Sequence, residues 1–290
     1  MRDFVIMTDS CCDLPADLAQ ELGLQVLPLS LTIGKDNYRN YLDGRDIGFP
    51  QFYDRVRQGA MPVTSAISVG DVEAAMRPVL QEGKDILCIS FSSVLSATHQ
   101  SSRIAAEALR QEFPEAAIYT LDSRSASLGQ GLLLYLCARQ KQAGKTLEQV
   151  RAYAEETIHQ ICHWFTVDDL NHLKRGGRVS GATALLGTML SIKPVMHVDD
   201  EGRLTPVSKS RGRKASLLAL VDEMEKSAIN PKEQTVFISH GDCLADAQFV
   251  ADEITRRFGT QDIRIHYVGP VIGSHTGAGV VALFFLGSKR

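Results

Sequence analysis

The densest run of groups able to do chemistry is Ile89-Ser-Phe-Ser-Ser-Val-Leu-Ser-Ala-Thr98. The apolar segment 85–91 ahead of it reads as a strand, and a helix-forming stretch follows at once. A helix start offers unpaired backbone N–H groups and the positive end of the helix dipole, and both favour an anion. Ser92, Ser93, Ser96 and Thr98 add neutral donors. No lysine or glycine-rich cradle stands beside them, as a phosphate site commonly requires. The run therefore suits a single carboxylate. The plainer reading of the same residues is that Ser93 or Ser96 caps the helix.

Other clusters carry charge or close backbone approach. Leu173-Lys-Arg-Gly-Gly-Arg-Val-Ser-Gly181 gathers Lys174, Arg175 and Arg178 around two glycines, and Lys209-Ser-Arg-Gly-Arg-Lys214 is a second basic patch containing Arg211. Arginines pair with carboxylates or phosphates in bidentate fashion, so patches facing one way would dock an acidic partner. A solvated surface loop is the alternative. Gly269-Pro-Val-Ile-Gly-Ser-His-Thr-Gly-Ala-Gly279 holds Ser274 and His275, and its glycines let backbone approach a ligand closely. The histidines lack metal-binding spacing; His159 and His163 are four apart but have no third ligand nearby, so no zinc site is expected. There is no Gly-x-Ser-x-Gly elbow, Walker loop or paired-carboxylate signature, so nothing forces a hydrolase.

The elements that must position these groups alternate through the first half. Strands are expected at 4–7, 24–33, 85–91 and 117–121. Helices are expected at 15–22 (capped by Asp13 and stopped by Gly23), 49–58, 69–81, 97–112 and 126–143, with a loop over 61–68. Such alternation predicts a parallel sheet with helices on both faces, whose ligands bind beyond the carboxyl ends of the strands. Thr8-Asp9-Ser10, Ser90–Ser93 and Asp122-Ser123 are the small polar residues at those ends. After a helix at 146–160 the grammar changes. A strand at 160–167, a hairpin of 191–198 with 203–209, helices at 213–227 and 244–258, and strands at 234–239, 262–268 and 279–287 make an α+β unit with an antiparallel or mixed sheet. The expected fold is α/β: a parallel-sheet domain over 1–160 and an α+β domain over 161–290, with the ligand between them.

Composition fits a soluble globular protein. The 290 residues are 44% hydrophobic and 22% charged, and exceed what one compact core usually serves. A net charge of −3 excludes a general nucleic-acid binder. The six cysteines are scattered without a CxxC pair, and with no secretory signal they read as reduced thiols of a cytoplasmic protein. The apolar run 279–287 is too short for a membrane span.

Taken in order, these motifs resemble the DegV family of bacterial fatty-acid-binding proteins. Thr8-Asp-Ser-Cys-Cys-Asp-Leu-Pro15 resembles its opening TDSxxDLP. Thr64-Ser-Ala-Ile-Ser68, Ser92–Thr98, Asp122-Ser123, Leu173–Gly181, Ser191-Ile-Lys-Pro194, Lys209–Ala215 and Gly273–Gly279 resemble its later motifs. The resemblance implies a two-domain carrier, not an enzyme, that buries one long-chain fatty acid. It needs no cofactor and presents the carboxylate to a separate fatty acid kinase, whose acyl phosphate product enters phospholipid synthesis. By motif position it implies Thr64, Ser93 and His275 as carboxylate ligands, Ser65, Ser92, Ser96 and Ser274 as neighbours, and Lys174, Arg175, Arg178 and Arg211 as kinase-docking residues. The family usually has proline, glycine and proline where Ile67, Ala97 and Ala278 stand, and these departures bear on acyl preference. The competing expectations are a stand-alone acyl hydrolase or transferase using Ser93 or His275, and a regulatory acid sensor.

Overall fold

The computed structural model describes residues 2–179 and 192–290. In chain order the elements are β1 (Phe4–Asp9), α1 (Ala16–Glu21), β2 (Leu24–Leu27), β3 (Ser30–Ile33), β4 (Asp36–Arg39), α2 (Phe49–Arg57), β5 (Val63–Ser65), α3 (Val69–Gln81), β6 (Asp85–Ser90), α4 (Thr98–Glu112), β7 (Ile118–Asp122), α5 (Leu128–Gln142) and α6 (Leu147–Thr157). They continue with β8 (Ile161–Thr166), α7 (Leu170–Gly176), β9 (Ile192–Val198), β10 (Leu204–Arg211), α8 (Arg213–Ser227), β11 (Val236–His240), α9 (Leu244–Phe258), β12 (Ile263–Tyr267), α10 (Pro270–Thr276) and β13 (Val281–Leu286). Ser180, Gly181 and Ser191 of the expected motifs lie outside the described residues.

The N-terminal strands form a parallel sheet of order β2-β1-β6-β7. Strand β6 is buried along its whole length, and its unbroken apolar run is what a parallel strand covered on both faces requires. Helices α3 and α4 pack together, as do α5 and α6. The second sheet has order β10-β9-β8-β13-β11-β12; it is antiparallel except where β11 and β12 run parallel, and is therefore mixed. Helix α5 contacts β8, β11 and β13 of that sheet as well as its own half. That placement explains its composition: Leu128 to Tyr135 are all buried, and a helix apolar all round belongs inside. One hydrophobic cluster runs from Phe4 and Ile6 through α5 to Phe237 and Phe284.

Three local expectations are corrected, and one segment carries a helix that was not anticipated. The stretch 24–33 is two strands, because Pro28 and Leu29 turn the chain out of the parallel sheet into a small antiparallel one of order β4-β3-β5. Proline lacks the N–H to continue a ladder, and the Ser10 hydroxyl accepts the Leu29 N–H at 3.0 Å to hold the turn. The expected loop 61–68 contributes β5 to that sheet, with Thr64 opposite Leu31. Asp13 does not cap α1, whose N-cap is Pro15; it adopts a left-handed conformation and is buried. The glycine-rich segment 269–279 contains a two-turn helix, α10, started by Pro270 at its first position, where a missing N–H costs nothing.

Candidate functional site

A cavity enclosing about 950 Å³ of empty space, its mouth included, opens between β5, the 91–97 loop, the start of α5, α7, α10 and one face of the mixed sheet. Its walls are mainly aliphatic and aromatic: Phe91, Leu95, Phe165, Leu204, Val271 and Ile272 carry much of the surface. One group of polar residues on its wall is Thr64, Ser65, Ser96, Arg178 and His275, with Thr64 bonded to His275 and Arg178 reaching the Leu95 carbonyl; Ser127, His163, Ser239 and Thr276 also line it. An apolar enclosure with a few convergent polar groups is the usual form of a small-molecule site.

The Thr64 group is held by three elements. Thr64 sits in the middle of β5, and its Oγ1 lies 2.9 Å from His275 Nε2. Helix α10 brings that histidine in by crossing α2 closely; a Cβ on Gly273 would lie 2.7 Å from the Tyr53 hydroxyl and 2.8 Å from the Phe52 ring. On its other side the imidazole fits against Gly176 of α7, where a side chain would collide with Nδ1. Burial pushes His275 down to about 4, with the Arg178 cation adding to the effect, so the ring is neutral at physiological pH. Its Nδ1 is buried with no partner among the described residues. A bare acceptor is the cheaper group to leave there, because a carbonyl or ring nitrogen without a donor is tolerated more readily than an orphaned N–H. The proton therefore belongs on Nε2 and is donated to Thr64, which leaves the threonine O–H free to donate into the cavity.

Ser96 is placed by the turn after β6. The Ser92 carbonyl accepts the N–H groups of Leu95 at 3.0 Å and Ser96 at 3.1 Å. The Ser96 hydroxyl accepts the Thr98 N–H at 3.2 Å and lies 3.0 Å from Thr98 Oγ1. The N-cap of α4 is Ala97, with no side-chain cap bond, so Ser96 stands one residue ahead of the cap, and it lines the cavity. Arg178 reaches the carbonyl oxygens of Leu95, at 3.5 Å, and Gly176, which sets its guanidinium across the mouth.

The remaining expected residues lie elsewhere. Ser93 is exposed, does not line the cavity, and uses its backbone N–H on Asp122 at 3.2 Å. Ser92 is fully buried and donates to the Gly202 carbonyl at 3.0 Å, tying the β9–β10 hairpin to the first half of the chain. Ser274 is buried and donates at 2.6 Å to Pro270 O within α10. Lys174 and Arg175 are exposed on α7, and Arg211 is exposed at the end of β10. Ser93 and His275 do not form a nucleophile–base pair, since the imidazole is engaged by Thr64.

The opening motif has a different use. Asp9 is buried, and its carboxylate accepts the N–H groups of Cys11 at 3.0 Å and Phe91 at 2.7 Å. Burial raises it to about 6. Asp13 accepts the Ser127 hydroxyl at 2.6 Å and is raised to about 8, again by burial. Ser127 also lies 3.0 Å from the Ser239 hydroxyl, and both serines line the cavity. Ser127 has φ 51° and ψ −143°, a strained conformation for a residue with a side chain. Sequence reasoning passed over Ser127 and Ser239 and weighed His163 only as a metal ligand; the positive φ of Arg124 and Ser127 falls where no glycine signals it.

The family model described as "Uncharacterised protein, DegV family" matches residues 3–288. The chain belongs to the DegV family. A DegV domain-containing protein of Clostridium perfringens is 44% identical over 290 residues, covering 100% of this chain and 99% of that one. Among solved structures, a DegV family protein from Thermus thermophilus described by its fatty acid binding has 31% identity and a TM-score of 0.85, covering 98% of this chain and 99% of that one. A fatty acid binding DegV family protein from Streptococcus agalactiae has 27% identity and a TM-score of 0.84, covering all of both chains. Among the described residues, no helix of this DegV protein is long and apolar enough to cross a membrane.

Proposed function

We propose that this protein binds one long-chain fatty acid in the cavity and presents its carboxylate to a separate fatty acid kinase. The observation that carries the reading is the make-up of the cavity: mainly apolar walls, with the Thr64–His275 pair, Ser65, Ser96 and the Arg178 guanidinium among its lining groups. Burying an acyl chain contributes about 0.8 kcal/mol per methylene, so roughly 14 methylenes contribute on the order of 11 kcal/mol before ordering costs. The tail supplies the affinity. The head-group donors offset the desolvation of a carboxylate, which is costly when unpaired.

In this reading the Thr64 O–H, with its oxygen held by His275, and the Ser96 hydroxyl donate directly to the carboxylate. Ser65 stands beside them, and Ser96 takes the direct place expected of Ser93. Arg178 adds a cation where neutral donors alone were expected. Being exposed at the mouth, it still leaves the acid reachable from solvent. Lys174, Arg175 and Arg211 form the docking surface for the kinase, and the units on either side of residue 160 act as the two walls of the site. The relatives described as fatty acid binding support the ligand class.

The test is to extract small molecules from the purified protein, identify them by mass spectrometry, and then add ATP and a fatty acid kinase. One equivalent of long-chain acid, converted to acyl phosphate only when both proteins are present, is the expected result. A ligand-free protein that takes up no added fatty acid would overturn the carrier reading. Turnover of an acyl ester by the protein alone would replace it with the enzyme reading.

A further inference from the structure

Beyond the mouth, the mixed sheet presents a second polar patch to the same cavity. On β8, His163 and Phe165 alternate onto the cavity face. The strand runs toward α7, and α7 packs on α10, which carries His275. His163 therefore stands two residues farther from the mouth than Phe165, about 6.6 Å at the usual strand rise. Along the ladder, Phe165 pairs with Ala282, which pairs with Ser239, so Ser239 shares the Phe165 rung two strands across and belongs to the wall between His163 and the mouth. Ser127 meets Ser239 from the start of α5.

The histidine is unusual for such a position. It is 4% exposed, and its Nδ1 is buried with no hydrogen-bond partner among the described residues. The ring contacts Phe284, at 4.5 Å between centroids, and Phe165, at 5.6 Å. Burial drives its basicity far down, so the imidazole is neutral and offers one N–H and one bare nitrogen. A phenylalanine would fill this aromatic niche without any unpaired polar atom. An unpaired acceptor walled in by protein, as at His275, is tolerated, but His163 borders the cavity, where a ligand can supply a polar partner. Ser127 and Ser239 add to the patch, since they place hydroxyls on the neighbouring wall, anchored by the Asp13 carboxylate.

We infer that this patch receives a polar substituent on the acyl chain, and that the protein's preferred ligand class includes long-chain fatty acids bearing a hydroxyl group along the chain. A hydroxyl both donates and accepts, so it can pair with a neutral imidazole whichever nitrogen carries the proton. The carboxylate end at Thr64 and the chain hydroxyl at His163 would then fix the acid at two points, so that the position of the hydroxyl is read as well as its presence. This inference rests on the fatty-acid reading of the cavity and adds a selectivity to it.

The experiment is a titration of delipidated protein with stearic acid and with its mono-hydroxylated isomers carrying the hydroxyl at successive mid-chain carbons. An apolar tunnel rejects a hydroxyl by roughly tenfold or more, because the group is desolvated without a partner. At least one isomer is expected to bind as tightly as stearic acid or tighter. His163→Phe is expected to shift the affinity ratio of that isomer to stearic acid about tenfold toward stearic acid. Ser239→Ala, which removes a single hydroxyl, should move the ratio in the same direction by less, and thermal melts confirm that each variant is folded. Stearic acid bound tightly with every hydroxylated isomer at least tenfold weaker overturns this inference alone and leaves the carrier reading standing. A ratio unmoved by both substitutions also overturns it. Failure of every acid to bind overturns both readings together.

Discussion

Two regions of this molecule look alike as sequence and differ in what their polar atoms do. The Thr8–Asp13 motif and the Thr64, Ser96, His275 group each combine small hydroxyls with an ionisable side chain near a strand or helix end. In the first, the polar atoms are largely spent inside the protein. Asp9 ties the end of β1 to the loop after β6, Thr8 donates at 2.7 Å to the Ile89 carbonyl, and Gln130 donates at 2.9 Å to Thr8. In the second, Thr64 and Ser96 are only half-buried and line the cavity, and Thr64 Oγ1 lies 2.9 Å from His275 Nε2. A run of hydroxyls becomes a binding site where the fold leaves its donors unused against a cavity. Otherwise it is a fastening. Here the fastening lies directly behind the site, since Asp9 holds the Phe91 N–H at the root of the loop that carries Ser96.

Substitutions can break that contrast. Asp9→Ala has the largest expected effect: it orphans two buried N–H groups and should cost roughly 2–6 kcal/mol in urea unfolding. Stability within 1 kcal/mol of the parent would erase the distinction between the regions. Thr64→Val should do the reverse, weakening fatty-acid affinity about tenfold, the value of one lost hydrogen bond of about 1.4 kcal/mol, while leaving the melting temperature nearly unchanged. Calorimetric titration and a thermal melt on one preparation read both quantities.

The acids of the fastening also give it a pH signature. Asp13 is raised to about 8 in the folded chain and returns to about 3.9 when unfolded. Between those values the folded state holds a proton that the unfolded state has lost, so stability falls as pH rises through that window and levels off above it. Asp9, raised to about 6, adds a fall of the same sign over the lower part of the range. Asp13→Asn should flatten the slope by at most about 1.4 kcal/mol per pH unit, seen in denaturant midpoints from pH 5 to 8. The mouth should behave otherwise. With His275 down at about 4, affinity for the acid is expected to stay level from pH 6 to 8, and a steep loss there would mean that a cationic imidazole holds the carboxylate. The smallest effect is expected at Ser93: Ser93→Ala should alter affinity less than twofold, whereas Ser96→Ala should weaken it several-fold.

Periodicity made the strand and helix order legible, and the helices 213–227 and 244–258 match the structure residue for residue. Motif order pointed to Thr64 and His275, which the fold brings together from 211 residues apart. What local pattern could not supply was side-chain direction. Ser92, Ser93 and Ser96 are equivalent as hydroxyls, and only the turn closed by the Ser92 carbonyl decides that Ser96 faces the cavity and Ser93 faces water. The break at Pro28 was readable in principle, but the apolar run across it hid the change of sheet. Asp13 has the residue type of a helix cap; its partner, Ser127, lies 114 residues away, beyond any local reading. His163 sits in a strand whose alternation predicts burial on one face, and nothing in the strand itself says that this face borders empty space.

The most direct measurement is a crystal structure of the protein with stearic acid bound. The account requires the carboxylate within hydrogen-bonding distance of Thr64 Oγ1 and Ser96 Oγ, with the chain running past Phe165 toward His163. A carboxylate lodged at the His163 end, or an acid bound outside the cavity, would contradict it.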